Sequence, residues 1–113
     1  MNDAWHSEGA PDAAGVVRSA ERVADRLRVL GPRWAARERT EDARPVAEVR
    51  SGLQRLADAA ARAEHRPRRT VPDLGLHVLA DQVLVLARDA AATGDADALA
   101  EADEVLASLR AAL

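Results

Sequence analysis

The feature that most constrains this chain is a recurrence of Leu, Val and Ala at alternating steps of three and four residues. Such spacing places apolar side chains on one face of an α-helix, because the helix turns once every ~3.6 residues. The stripe positions are Val16, Ala20, Val23, Leu27, Leu30; Val46, Val49, Leu53, Leu56, Ala60, Ala63; Leu76, Leu79, Val83, Leu86, Ala90; Leu99, Ala102, Leu106, Leu109, Leu113. These stripes predict an all-α protein built from four helices.

Proline and glycine bound the first two predicted helices. The first is expected over about Pro11–Leu30, where Gly31 and Pro32 supply a C-terminal stop. The second is expected over about Pro45–Glu64, because proline suits the first helical turn and disrupts later ones.

Capping residues bound the other two helices. Thr70 and Asp73 form a capping-box-like pair that predicts the start of the third helix, which continues to about Thr93. Gly94 suits a helix C-terminus, and Asp95 suits the N-cap of the fourth helix. Because this link between helices three and four is so short, we predict that the two helices are antiparallel neighbours.

The expected architecture is a single-domain, antiparallel up-down four-helix bundle over residues 11–113, preceded by a tail of residues 1–10. Of the 113 residues, 27 are alanine, while Leu and Val together number only 24. The core is therefore thin, and oligomerisation is a common remedy for a thin core. The lack of cysteine excludes disulfides and thiolate metal sites. No apolar run is long enough for a membrane span, and no leader-like segment is seen, so we expect a bacterial cytoplasmic protein.

The charges are segregated along the chain. Residues 1–15 have net charge −3, residues 16–69 have +6, and residues 70–113 have −6. One interpretation is intramolecular, with the basic half attracting the acidic half. The other is an acidic partner or nucleic acid, bound by the arginine-rich loop that contains Arg62, Arg66, Arg68 and Arg69. Arginine is the sole cation besides histidine, which a GC-rich genome would also produce, and this weakens the second interpretation.

His77 is the histidine most suggestive of chemistry, because it lies in an apolar segment with Asp81 four residues later and Arg88 beyond. A histidine oriented by a carboxylate would serve a ligand site or acid–base chemistry. A structural alternative is that His77 and Asp81 pair with each other or with Arg88 at the edge of the core. Their spacing alone supplies too few ligands for a metal ion, so we expect no metal and no cofactor.

The two tryptophans and the third helix suggest interaction. Trp5 and Trp34 are potential interface anchors, although Trp34 would equally cover the end of the core. The third helix is apolar beyond one face, which indicates either the most buried element of the bundle or a contact with a second copy or a helix-pairing protein partner. With no catalytic motif in the sequence, we predict a non-catalytic interaction or regulatory module. The alternatives are a nucleic-acid-binding protein that uses residues 62–69 and a small ligand or acid–base site at His77 and Asp81.

Overall fold

The computed structural model describes residues 10–37 and 44–113, and within them it contains four α-helices and no strand. The helices are α1 (Ala13–Arg37), α2 (Arg44–Ala63), α3 (Leu79–Ala92) and α4 (Ala96–Ala112). A short 3₁₀ turn, Leu76–Val78, leads into α3. The prediction of an all-helical protein is confirmed for the described part of the chain.

The predicted stripes form one continuous core. Each helix contributes Leu or Val side chains that are almost inaccessible to solvent, and alanines fill the spaces between them. The largest fully buried side chains are Leu53, Leu56, Leu79, Leu106, Val16, Val23, Val49, Val83 and Val105. Stripe positions near the helix ends, such as Leu30, Leu99 and Leu113, are partly buried against this core.

The first helix does not stop at Leu30, and the prediction of a stop at Gly31 and Pro32 was wrong. α1 continues through Pro32 to Arg37. A proline ring disfavours helical conformation in the preceding residue partly through that residue's β-carbon, which Gly31 lacks. Beyond the proline, Trp34 is 8% exposed and belongs to the core. Burial of this large aromatic side chain offsets the lost backbone hydrogen bond.

The third helix begins at Leu79, later than the sequence predicts, because residues of the preceding segment bind to α2 and form a local turn instead of helical hydrogen bonds. The Val71 amide donates to Gln54 Oε1 at 2.9 Å. Asp73 does not cap a helix: its Oδ1 accepts from the Gly75 amide at 3.0 Å and pairs with Arg50 at 2.8 Å. The connection between α2 and α3 therefore runs back along the surface of α2.

The remaining helix limits agree with the sequence. α2 begins at Arg44, one residue before the predicted proline start. Gly94 has the positive φ of 65° that favours glycine after a helix. The Asp95 side chain caps α4 by accepting from the Ala98 amide at 2.9 Å.

The helices associate mainly as α1 with α3 and α2 with α4, and to a smaller extent as α2 with α3 and α1 with α4. The start of α1, at Ala13, lies beside Ala92 at the end of α3. Gly52 of α2 faces Leu109 of α4. α3 and α4, which the short link predicts to be neighbours, do contact each other, although less than they contact α1 and α2. None of the described helices is both long and apolar enough to cross a membrane.

Candidate functional site

His77, Asp81 and Arg88 lie along one stretch of chain, but the structure does not join them into one site. His77 is exposed in the 3₁₀ turn, and its ring lies against Gly75, where an added β-carbon would be 3.1 Å from Nδ1. Asp81 accepts a hydrogen bond from Arg28 at 3.3 Å. Among the described residues, no hydrogen bond or ion pair connects His77 to Asp81, and Arg88 has no such partner.

A cavity of about 370 Å³ adjoins His77 at the point where α1 passes through its proline. Its wall is mostly apolar, and Arg28 and His77 supply the polar groups. The lining residues are Leu27, Arg28, Gly31, Pro32, Ala35, Leu76, His77 and Ala80. Pro32 has no amide hydrogen to offer the Arg28 carbonyl one turn before it. The cavity therefore combines an apolar wall with a small number of hydrogen-bonding groups, which is typical of small-molecule sites.

A larger apolar groove of about 540 Å³ lies between α3 and the connection that precedes it. We call it the α3 groove, and its lining residues are Ala57, Arg69, Thr70, Val71, Pro72, Leu74, Val78, Asp81, Gln82, Val85 and Leu86. Leu74 and Val85 are each 55% exposed, and both line this groove. Val85 of α3 and Leu74 of the connection before it therefore face solvent, whereas Leu84 of α3 is partly buried against the core.

The wall of the α3 groove is held in place by polar contacts with α2. Gln54 donates through Nε2 to the Arg69 carbonyl at 2.9 Å and to Asp58 Oδ1 at 2.9 Å. Arg68 donates to Asp58 Oδ2 at 2.8 Å. On the α3 side, Gln82 donates to the Pro72 carbonyl at 3.1 Å. Contacts on both sides of an irregular segment restrict its motion and preserve the shape of the groove.

Asp58 is the one buried charged side chain among the described residues, and sequence reasoning missed it. Burial raises the pKa of its carboxyl. The hydrogen bonds from Gln54 and Arg68 and the charges of Arg68 and Arg62 lower that pKa more, so the net pKa is below the ordinary value. The ionised form is therefore the stable one. The Gln54 and Asp58 spacing of four residues, on one helix face, is the signal that would have found this network.

The arginine-rich loop offers little free positive charge. Arg66 pairs with Glu64 at 2.6 Å, Arg68 pairs with Asp58, and Arg62 lies 3.9 Å from Glu101. Of the four arginines predicted to contact an anion or nucleic acid, Arg69 is the one whose guanidinium has no partner in the described part of the chain. This arrangement is not that of an open anion-binding surface.

Ion pairs connect the basic and acidic halves of the chain. Arg55 of α2 donates to Glu101 at 2.7 Å and lies 3.5 Å from Glu104. The hydrogen bond to Glu101 holds the pKa of the Arg55 guanidinium above its ordinary value. Arg28, which lies in the basic half of the chain, likewise pairs with Asp81 in the acidic half. These contacts agree with the intramolecular interpretation of the segregated charge.

The other predicted positions have simple placements. Trp34 is buried within its own chain, and Trp5 lies outside the described residues. Within the described ranges, no group of three or more His, Asp or Glu side chains is arranged to hold a metal ion. No known protein family, curated protein or solved structure matches this chain.

Proposed function

We propose that this chain is a non-catalytic helical module that acts by binding another polypeptide through the α3 groove. The observation that carries the proposal is the exposure of Leu74 and Val85, each 55% accessible, on a groove with an apolar wall. Clusters of exposed apolar side chains on small proteins are commonly interaction sites. Location in a bacterial cytoplasm stays a prediction from the sequence.

The rigidity of the groove supports this proposal. A preformed apolar groove binds with a smaller entropic cost than one that must order on binding. Here α3 forms one wall, and the connection fixed by Gln54 and Asp58 forms the other. Binding of an amphipathic helix in such a groove would bury both exposed side chains.

We also propose a four-helix bundle with two antiparallel helix pairs as the scaffold for this groove. The contact of Ala13 with the end of α3, and of Gly52 with Leu109, support antiparallel α1 with α3 and antiparallel α2 with α4. The return of the connection along α2 supports a parallel arrangement of α2 and α3. This order departs from a simple up-down bundle, in which consecutive helices all reverse direction.

Photo-crosslinking from the groove in the native cells tests the proposed function. A photoreactive amino acid at position 85 would capture a bound polypeptide, whereas the same residue at position 29 would not. Val29 is the matched control, since it is 63% exposed on α1 and lies outside the groove. Crosslinked products from both positions alike, or from neither, would overturn the proposal.

We propose small-molecule binding at the His77 cavity as a second candidate function. Its support is the 370 Å³ space between α1 and the 3₁₀ turn, with the His77 ring beside Gly75. Phenol is a suitable probe, because it combines an apolar ring with one hydroxyl. Binding would shift the NMR signal of the His77 Cε1 proton and leave that of exposed His65 unchanged. Equal shifts of both histidines, or none, would contradict a specific site.

Nucleic-acid binding through residues 62–69 remains an alternative with less support, because three of its four arginines contact carboxylates of the same chain. It predicts binding that weakens steeply with salt. The absence of DNA or RNA binding at low salt would exclude it.

A further inference from the structure

We infer that the polypeptide bound at this surface is a second copy of the chain, with the two α3 helices antiparallel across a two-fold axis beside Val85. The inference rests on the proposed function and names its partner. It follows from three exposed side chains of α3, namely Asp81, Val85 and Arg88.

The helical positions of these residues set the geometry. Asp81 and Arg88 are seven residues apart, which on an α-helix places them on the same side and about 10 Å apart along the axis. Both lie on the side of α3 that faces α1, since Asp81 pairs with Arg28 and Arg88 lines a shallow groove with Glu21. Val85 lies between them at the centre of the exposed face and also borders the α3 groove.

A two-fold axis requires a surface that is complementary to itself. When two α3 helices run antiparallel about an axis between residues 84 and 85, Asp81 of one copy faces Arg88 of the partner subunit. The symmetry generates the same pair a second time. Val85 then meets its own equivalent at the centre, and Leu74 lies along one side of the contact.

The charges of this face are available for such pairing. Arg88 makes no ion pair or hydrogen bond within the described residues. Asp81 is 72% exposed, and Arg28 uses only its Oδ1, which leaves Oδ2 free. A partner of unrelated sequence would have to supply the opposite pattern, whereas a second copy contains it. Charges at an interface edge contribute mainly orientation and specificity, and the exposed Leu and Val side chains supply the apolar contact.

Charge reversal gives a test with opposite outcomes for single and mixed variants. Sedimentation equilibrium of the wild-type chain should show a dimer. Arg88→Asp and Asp81→Arg should each be monomeric, because each homodimer would bring like charges together. An equimolar mixture of the two variants should form a dimer, since every acid then faces a base. A mixture that stays monomeric would overturn the antiparallel α3 pairing.

Matched controls separate a changed interface from a changed fold. Asp103→Arg makes the same charge change on an exposed part of α4, where Asp103 has no partner among the described residues, and should leave the dimer intact. Asp81→Arg also removes the partner of Arg28, so Val85→Asp is a second disrupting variant that touches no ion pair. Its control is Val29→Asp, and circular dichroism should show unchanged helix content in all variants.

The outcome also distinguishes this inference from the proposed function. A wild-type chain that is monomeric at its highest soluble concentration overturns the inference. If position 85 nevertheless crosslinks to a different protein in cells, the proposed function stands, and only the identity of the partner as a second copy is overturned. Crosslinked product of twice the chain mass, lost in Arg88→Asp, supports both.

Discussion

The buried pair of Asp58 and Arg68 should stabilise the fold much more than an exposed pair in the same loop. The two pairs have similar distances: Asp58 and Arg68 at 2.8 Å, Glu64 and Arg66 at 2.6 Å. They differ in exposure, since the Asp58 side chain is 9% accessible and that of Glu64 is 49% accessible. Burial rather than distance therefore decides the comparison.

The magnitudes follow from this difference. A hydrogen bond to a charged group contributes about 1.5–3 kcal/mol to stability. Arg68 is 71% exposed, so water screens its charge, and we expect the lower end, about 1.5 kcal/mol, for its coupling with Asp58. For Glu64 and Arg66, with both side chains about half exposed, we expect about 0.3 kcal/mol.

Double-mutant cycles measure each coupling. The cycles replace each member of a pair by alanine, singly and together, and urea unfolding gives the four free energies. Asp58→Ala also removes the contact with Gln54, but it does so both in the wild-type and in the Arg68→Ala background, so this loss cancels from the coupling energy. The Val71 amide should also exchange faster in Asp58→Ala, because its acceptor Gln54 loses a fixed neighbour. Equal coupling energies for the two pairs would refute the argument from burial.

Three further changes have defined outcomes. Asp58→Asn should be less stable than wild type at neutral pH. The pKa of Asp58 is lowered in the folded state, so the ionised carboxylate contributes fully to stability above the unfolded pKa of 3.8. That contribution is lost as the pH falls from 3.8 through the folded pKa. Urea unfolding across this pH range should show that the difference in free energy of unfolding between wild type and Asp58→Asn becomes smaller towards acid. A difference that grows towards acid would contradict the lowered pKa. Gly52→Val should cost about 2 kcal/mol, because even a β-carbon would lie 3.1 Å from Leu109 Cδ1; an unchanged unfolding midpoint would show that α4 shifts freely. Asp95→Ala should cost about 1 kcal/mol by removing the cap on the Ala98 amide, and Asp97→Ala, on the same turn, serves as its control.

Local signals predicted most of the helices, because those signals act within one helical turn. The stripes placed the core, and Asp95 and Gly94 marked the α4 boundary correctly. The same reasoning failed at Pro32, where the local cost of a proline is real but burial of Trp34 outweighs it. It failed again at Thr70, where bonds to α2 compete with helix formation.

The candidate site was predicted only in part. The excess apolar character of the third helix was visible in the sequence, and it corresponds to the exposed Leu74 and Val85. The sequence did not show which residues line a cavity with His77, because Leu27 and Pro32 lie about fifty residues away in the chain. The spacing of Gln54 and Asp58 on one helix face was a local signal for part of this network. The contact of Asp58 with Arg68 had none, because Arg68 comes from a loop that folds back along α2.

The sequence by itself determined that the chain forms helices, which face of each helix is buried, and that one half is basic and the other acidic. These properties follow from side-chain periodicity and charge along a single segment. Only the tertiary structure decided which helices meet, where α3 begins, and that its outer face stays exposed beside a fixed loop. Those outcomes depend on contacts between distant residues, such as Gln54 with Arg69 and Arg55 with Glu101, whose free energies no local pattern contains.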